Sequence, residues 1–281
     1  MKINGIDIGG GEFSPTQLTD WTTRLAGSHS EGDYAVWTAT GAVYQWSASL
    51  RSGSGDWVRT EAYTSSYGHE AYLDGDEAND AAVLTKGWDS ISENGAGAVT
   101  YDGTRIVLTG VSTGAGTDSA AIQRNTSTTI VTSSTIWACG LYQFETSSSS
   151  WSGRFFDVRD GTYMNKFANA AGSFQRIEKR PSNDYDSGRE QRYGAISEGQ
   201  FSSSTEEKHL ALHITPYTAA DNIGVAKLWI NHSLDPYYLG ARNQVTNATT
   251  IIQIRAGDLN TGNSGRGAII KVRDYTAGAV I

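Results

Sequence analysis

The residues able to do chemistry in this chain are few and poorly grouped. Glycoside hydrolysis needs two carboxyl groups, an acid and a base or nucleophile, held on one face about 5–10 Å apart. On a strand that means acids spaced by two, and neither Glu-x-Asp-x-Glu nor Glu-x-Asp-x-x-Glu occurs. Asp157 comes nearest, but Arg159 fills the next position on its face. Glu206 and Glu207 are adjacent, so a strand would point them apart. His209 and His213 share a face but stand four strand residues apart, about 13 Å, too far for one zinc ion. His69-Glu70 opens a zincin-like motif that Leu73 breaks where the second histidine belongs. Cys139, the only cysteine, lies inside the apolar run Ile136-Trp-Ala-Cys-Gly-Leu-Tyr142 and reads as a buried thiol. No serine elbow, phosphate loop or dinucleotide fingerprint appears. The expectation is a chain with no catalytic set, no cofactor and no metal, hence not an enzyme. The acidic run Asp74–Asp80 could ligate calcium, but it lacks the glycine and the closing glutamate of an EF-hand loop and also reads as a solvated linker.

What remains is binding. Sugars stack their apolar faces on exposed rings while polar neighbours take the hydroxyls. Trp229 shares a face with Lys227 and Asn231, Tyr163 with Asn165, and Arg176 with Glu178; Trp151 follows the Ser147–Ser150 loop. Trp151, Tyr163, Arg176 and Trp229 form a candidate glycan-contacting set. The competing reading is that Trp229 and Tyr163 cover a second sheet or a subunit interface.

The elements that must position these residues are strands. The chain has 281 residues, 38% hydrophobic and 19% charged, with 32 glycines and 4 prolines. That composition favours short strands and tight turns over helical bundles. A net charge of −8 argues against nucleic acid and anionic membranes as partners. No stretch approaches the length of a membrane-spanning helix, and the first residues lack the apolar run of a signal peptide.

Residues 1–62 read as a small α+β unit. Ser14-Pro15-Thr16-Gln17 has the form of a helix start, Leu18, Trp21 and Leu25 recur on one helical face, and Gly27 is a stop. Three strands are expected at Tyr34–Thr38, Ala42–Ser47 and Asp56–Thr60. Trp21, Trp37, Trp46 and Trp57 are either the core of this unit or a docking surface for oligomerisation or attachment. Residues 63–86 read as an acidic connector. Residues 87–281 hold nine or ten strand candidates. Asp102-Gly103 and Asp160-Gly161 mark two-residue hairpin turns, in which both turn residues need positive φ. Leu210, Leu212 and Ile214 alternate with His209, Ala211 and His213, and Ala226, Leu228 and Ile230 with Lys227 and Trp229. Two stacked antiparallel sheets follow from that alternation.

The strands His209–Thr215, Val225–Asn231, Ile251–Arg255 and Ala268–Tyr275 resemble the closing strands of a concanavalin A-like (laminin G-like) jelly roll. His232 stands where such domains carry the glycine of an Asn-Gly turn. The expected fold is therefore mainly β, an antiparallel jelly-roll β-sandwich preceded by a small α+β unit. Ala42-Val-Tyr-Gln-Trp46 with Asp56-Trp-Val-Arg59 is similar to short β modules of tailed-phage virion proteins. That resemblance implies a homo-oligomeric structural protein on a virion surface. Its partners would be other virion proteins and a host surface glycan.

Overall fold

The computed structural model describes residues 2–3, 6–7, 14–65, 67–74, 77, 79–111, 118–125, 135–145, 152–159, 164–170, 173–179, 190–196, 206–214, 225–236, 238–241, 251–257 and 267–279, with backbone alone for the strands from 152 to 196. Two short strands, β1 (Lys2–Ile3) and β2 (Ile6–Asp7), pair with each other. A four-stranded sheet follows: β3 (Thr16–Leu18), β4 (Tyr34–Trp37), β5 (Val43–Ser47) and β6 (Asp56–Arg59). The remaining strands, in chain order, are β7 (Gly68–Leu73), β8 (Ser90–Asn94), β9 (Ala98–Tyr101), β10 (Ile106–Val111), β11 (Ser119–Asn125), β12 (Ile136–Glu145), β13 (Ser152–Arg159), β14 (Met164–Ala170), β15 (Ser173–Lys179), β16 (Glu190–Ile196), β17 (Lys208–Ile214), β18 (Val225–Ile230), β19 (Tyr238–Ala241), β20 (Ile251–Gly257) and β21 (Gly267–Ala279).

These build two antiparallel sheets. The first runs β19-β18-β17-β12-β21-β10-β9, with β7 also paired to β21; the second runs β16-β15-β14-β13-β20-β11-β8. The alternation read from the sequence sets the layers. Leu210, Leu212, Leu228, Ile230, Ile270 and Val272 of the first sheet meet Ala120, Ile122, Ile254 and Ala256 of the second in one buried core. The fold is mainly β, a jelly-roll sandwich.

Three local expectations are corrected. Residues 14–27 are not an α-helix: they form β3 and a single 3-10 turn, Trp21–Thr23, capped by the Asp20 carboxylate on the Thr22 N–H. The same apolar residues are nonetheless buried, with Leu18 and Trp21 in the core and Leu25 against it. Tertiary packing overrides the local pattern here. Asp102-Gly103 closes a four-residue loop in which Gly103 alone takes positive φ (99°), while the Asp102 carboxylate accepts the N–H groups of Thr104 and Arg105. Asp160-Gly161 lies outside the described residues, although Arg159 pairs with Met164 across it. The connector contributes β7 to the first sheet and the short helix Asp80–Leu84. It is pinned by Glu70, whose carboxylate accepts the N–H groups of Arg51 and Ser52 at 2.9 and 3.1 Å. Those two residues form a left-handed turn, with φ of 54° and 57°.

Where β12 meets β21 the register shifts, so that Gly140 faces both Asp274 and Tyr275. Asp274 takes φ 47° at this bulge. A Cβ on residue 140 would stand 2.6 Å from the Tyr275 Cα, which is why glycine occupies the position.

Candidate functional site

Each sheet has an outward face, and the two differ. That of the first sheet is closed by the N-terminal unit. Trp37, His232 and His209 form a three-ring stack with centroid spacings of 3.5 and 3.6 Å, and the edge of Trp21 meets His209 at 4.5 Å. The Tyr44 hydroxyl bonds His232 Nδ1 at 2.8 Å, and Cys139 Sγ lies 3.1 Å from His209 Nε2. This resembles a nucleophile with its base only in composition. Burial pushes the Cys139 thiol far up, and burial with the cations Arg59 and Arg24 nearby drives His209 well down. Both groups are neutral, enclosed and packed, so the cluster is a joint between the two parts of the chain. A buried ion-pair network completes it. Asp56 accepts Arg24 Nε at 2.8 Å, Arg24 Nη2 at 2.9 Å and the Thr276 hydroxyl at 2.9 Å, and Asp274 takes a longer contact from Arg24.

The predicted site residues fall as follows. Trp229 is 1% exposed: the Arg59 guanidinium of β6 covers its ring at 4.3 Å and its indole N–H donates to the Leu234 carbonyl. It is therefore closed to a glycan, because the strand face expected to meet solvent carries the N-terminal unit instead. Arg176 lies on β15, paired with Phe167 of β14, and its side chain lies outside what the structure describes. Trp151 and Tyr163 lie outside the described residues. Trp21, Trp46 and Trp57 are buried inside the chain, and Trp37 is half-buried on His232. Their docking partner in this structure is the sandwich itself. In the acidic loop, Lys86 Nζ lies 2.6 Å from Asp74 and 2.9 Å from Glu77, and Arg51 also reaches Asp74. These carboxylates serve internal cations, and among the described residues no three metal-ligating side chains converge.

Among the described side chains, the outward face of the second sheet is polar. Because Ile122 and Ile254 point into the core, Gln123, Gln253 and Arg255 occupy the opposite face. Pairing runs across the strands as Ser90, Gln123, Gln253, Asp157, Lys166, Ile177 and Arg192, one residue per strand from β8 to β16. One step along the strands, Arg255 pairs with Arg154. Gln253 is 0% and Arg255 2% exposed, although neither belongs to the apolar core. The Arg255 guanidinium donates to Gln253 Oε1 and to the Ser119 hydroxyl, both at 3.3 Å. The Gln253 amide nitrogen has no hydrogen-bond partner among the described residues. A buried amide donor left open beside a guanidinium is costly in a folded chain and suits an anionic or hydroxylated guest.

Sequence reasoning passed over this pair. It sought carboxylates spaced by two and did not ask for an amide and a cation at the same spacing. Gln253-Ile-Arg255, inside a strand with isoleucines on its other face, was the available signal.

No protein-family model matches the chain, and no curated protein matches it. Solved structures do. The alginate lyase Aly36B superposes with a TM-score of 0.55 at 10% identity, over 76% of this chain and 98% of that one. An endo-β-1,4-glucuronan lyase from the fungus Trichoderma reesei gives 0.51 at 13% identity, over 76% and 95%. The marine PL-14 alginate lyase from Aplysia kurodai gives 0.51 at 11% identity, over 76% and 99%. These matches overturn the expectation that the chain is not an enzyme: the sandwich read as a purely structural frame is the frame on which polysaccharide lyases are built. At such identities the likeness is one of fold. About a quarter of this chain lies outside each match, and the matches carry nothing toward a virion placement.

Proposed function

We propose that the chain binds an acidic polysaccharide across the outward face of its second sheet and cleaves it by β-elimination. The observation that carries this reading is the buried Gln253–Arg255 pair on a lyase-type sandwich. Elimination from a uronate needs no carboxylate pair. A base removes the proton on the carbon beside the sugar carboxylate, and the electron pair left there spreads into that carboxylate. The bond to the β oxygen then breaks, a C=C bond forms, and the leaving oxygen takes a proton. The demand on the protein is a set of donors that stabilise the doubly charged carboxylate as it forms. Gln253 Nε2, without a partner among the described residues, is the proposed donor, and the Arg255 guanidinium bonded to its amide oxygen supplies positive charge beside it. Lys166, two strands from Gln253 and so about 10 Å away by strand spacing, is the candidate for moving the proton.

Incubation with alginate, polyglucuronate and a neutral glucan tests this, read by the ultraviolet absorbance of the unsaturated product. Product is expected from an acidic polymer and not from the glucan. Gln253→Ala is expected to lower kcat by about 10²–10³, the usual cost of one lost donor to a developing oxyanion. A folded chain that yields no unsaturated product from any acidic polysaccharide removes the proposal. The virion-surface placement, with its virion partners and oligomer, is a separate proposal supported by the sequence resemblance of the N-terminal strands. Antibody labelling of intact particles tests that one.

A further inference from the structure

β3 and β4 are the one parallel pair among the described strands, so both begin at the same end of the N-terminal sheet. The chain between them must return to that end, and its last stretch, residues 27–33, arches over the strand starts. A hollow of about 400 Å³ lies beneath it, lined by Ser14, Thr16, Ser28, His29, Asp33 and Tyr34 together with Gly27 and Gly32. The arch is built and not slack. The Gly32 N–H donates to the Trp46 carbonyl at 2.9 Å, and the Trp46 N–H donates to the Asp33 carbonyl at 2.8 Å. The Asp33 carboxylate accepts the Ser30 N–H at 2.7 Å through Oδ2, which leaves Oδ1 for a guest. His29 is braced against Trp46 and Trp57 at 4.7 and 4.8 Å, and its Nε2 is held by the Ala26 carbonyl at 3.0 Å. With Nε2 donating to the Ala26 carbonyl, the Nδ1 edge of the ring is the one not engaged by that bond.

Four hydroxyls, of Ser14, Thr16, Ser28 and Tyr34, one carboxylate and the His29 imidazole therefore surround the space. Among the described residues no lysine or arginine lines it. Acceptors in excess and one negative charge repel an anionic sugar and suit the hydroxyls of an uncharged one. We propose that this hollow is a second glycan-binding site, specific for a neutral sugar unit, which tethers the chain to polysaccharide independently of the second-sheet face. It belongs to the N-terminal unit and does not depend on the cleavage proposed above.

Affinity electrophoresis of the full chain through gels carrying mannan, galactan or amylose, with alginate as the charged control, tests the site. Retardation by at least one neutral polymer is expected, with about tenfold weaker binding for Asp33→Ala and for Thr16→Val, each losing a hydrogen-bonding group to the sugar. Both side chains lie at the hollow's rim, and thermal midpoints equal to wild type show that folding is intact. Gln253→Ala should be retarded as wild type is. Absence of retardation in every neutral gel overturns the proposal. So does wild-type retardation of both rim variants, or loss of retardation in Gln253→Ala alone.

Discussion

His232 occupies the second left-handed position of the turn after β18, with φ 57°, following Asn231 at 50°. Glycine is the unstrained choice there, and a non-glycine residue costs about 1–2 kcal/mol. The strain is offset by what the imidazole does, bonding Tyr44 and filling the space between Trp37 and His209. That gain exists only while the ring is neutral. Burial first, and Arg59 second, lower His232 to about 3; burial lowers His209 well below its ordinary value, and His213 falls to about 4. Unfolded, each takes a proton near 6.5, so stability falls as pH drops below 6.5, by up to about 1.4 kcal/mol per pH unit per histidine. Asp274 acts with the opposite sign. Burial raises it to about 6 despite Arg24, so between 6 and its unfolded value of 3.8 the folded chain holds the extra proton and gains stability as pH falls. Three histidines against one aspartate leave a net loss. Urea unfolding at pH 7, 6 and 5 should show a falling midpoint. His232→Asn should start less stable at pH 7 and have a shallower pH dependence; an unchanged slope would refute the assignment.

The Arg24–Asp56 pair is the shortest of the ion pairs that these two residues make at the joint between elements. Arg24 follows the 3-10 turn, Asp56 opens β6, and Thr276 lies on β21, so a single carboxylate ties the N-terminal unit to the central strands of the sandwich. Burial would raise the Asp56 carboxyl, but Arg24 and its hydrogen bonds hold it below the usual range. Arg24→Met leaves that buried charge with only the longer Arg51 contact, 3.7 Å away, as its cation, and should cost about 3 kcal/mol. The double variant Arg24→Met/Asp56→Leu should cost less than Arg24→Met alone, since no charge is then stranded; guanidinium unfolding of the three chains decides it. Neither member of this pair was visible in the sequence. They stand 32 residues apart, and nothing local marks an arginine after a turn as buried. What the sequence did reveal was periodic. Leu210-Ala-Leu-His-Ile214 and Leu228-Trp-Ile230 set the sandwich layers because a strand must place alternate residues on opposite faces. The same period says which face a residue takes and not what covers that face. Trp229 was therefore assigned to the correct side of its strand and to the wrong environment. Gln253 and Arg255 share a face for the same reason, but spacing alone does not mark an amide beside a guanidinium as buried. Residues 14–27 misled because Leu18, Trp21 and Leu25 fit a helical spacing, while burial beneath Tyr44 and beside Trp57 is satisfied equally well by a short strand and a tight turn.

At the scale of the whole molecule the two parts share a core. One buried cluster takes Leu18, Trp21, Ala35, Tyr44, Trp46 and Trp57 from the N-terminal unit and Cys139, Ala211 and Trp229 from the first sheet. A boundary of that kind, apolar and crossed by a buried ion pair, couples the stabilities of its two sides, so thermal unfolding should be a single transition in calorimetry. Cys139 makes the coupling measurable without relying on heat. The thiol is 5% exposed, sits directly under the N-terminal unit beside His209, and is the only one in the chain. Burial also holds it in the unreactive protonated form. Its modification by an aromatic disulfide reagent therefore reports separation of the two parts. In the intact protein the reaction should proceed only at the rate of opening. In Arg24→Met it should accelerate in proportion to the lost stability, about a hundredfold or more for a loss of 3 kcal/mol if separation and unfolding are one event. Fast labelling of the intact chain, or a rate in Arg24→Met that equals wild type while its unfolding midpoint falls, would mean that the unit detaches on its own and that the shared core does not bind the molecule into one cooperative whole.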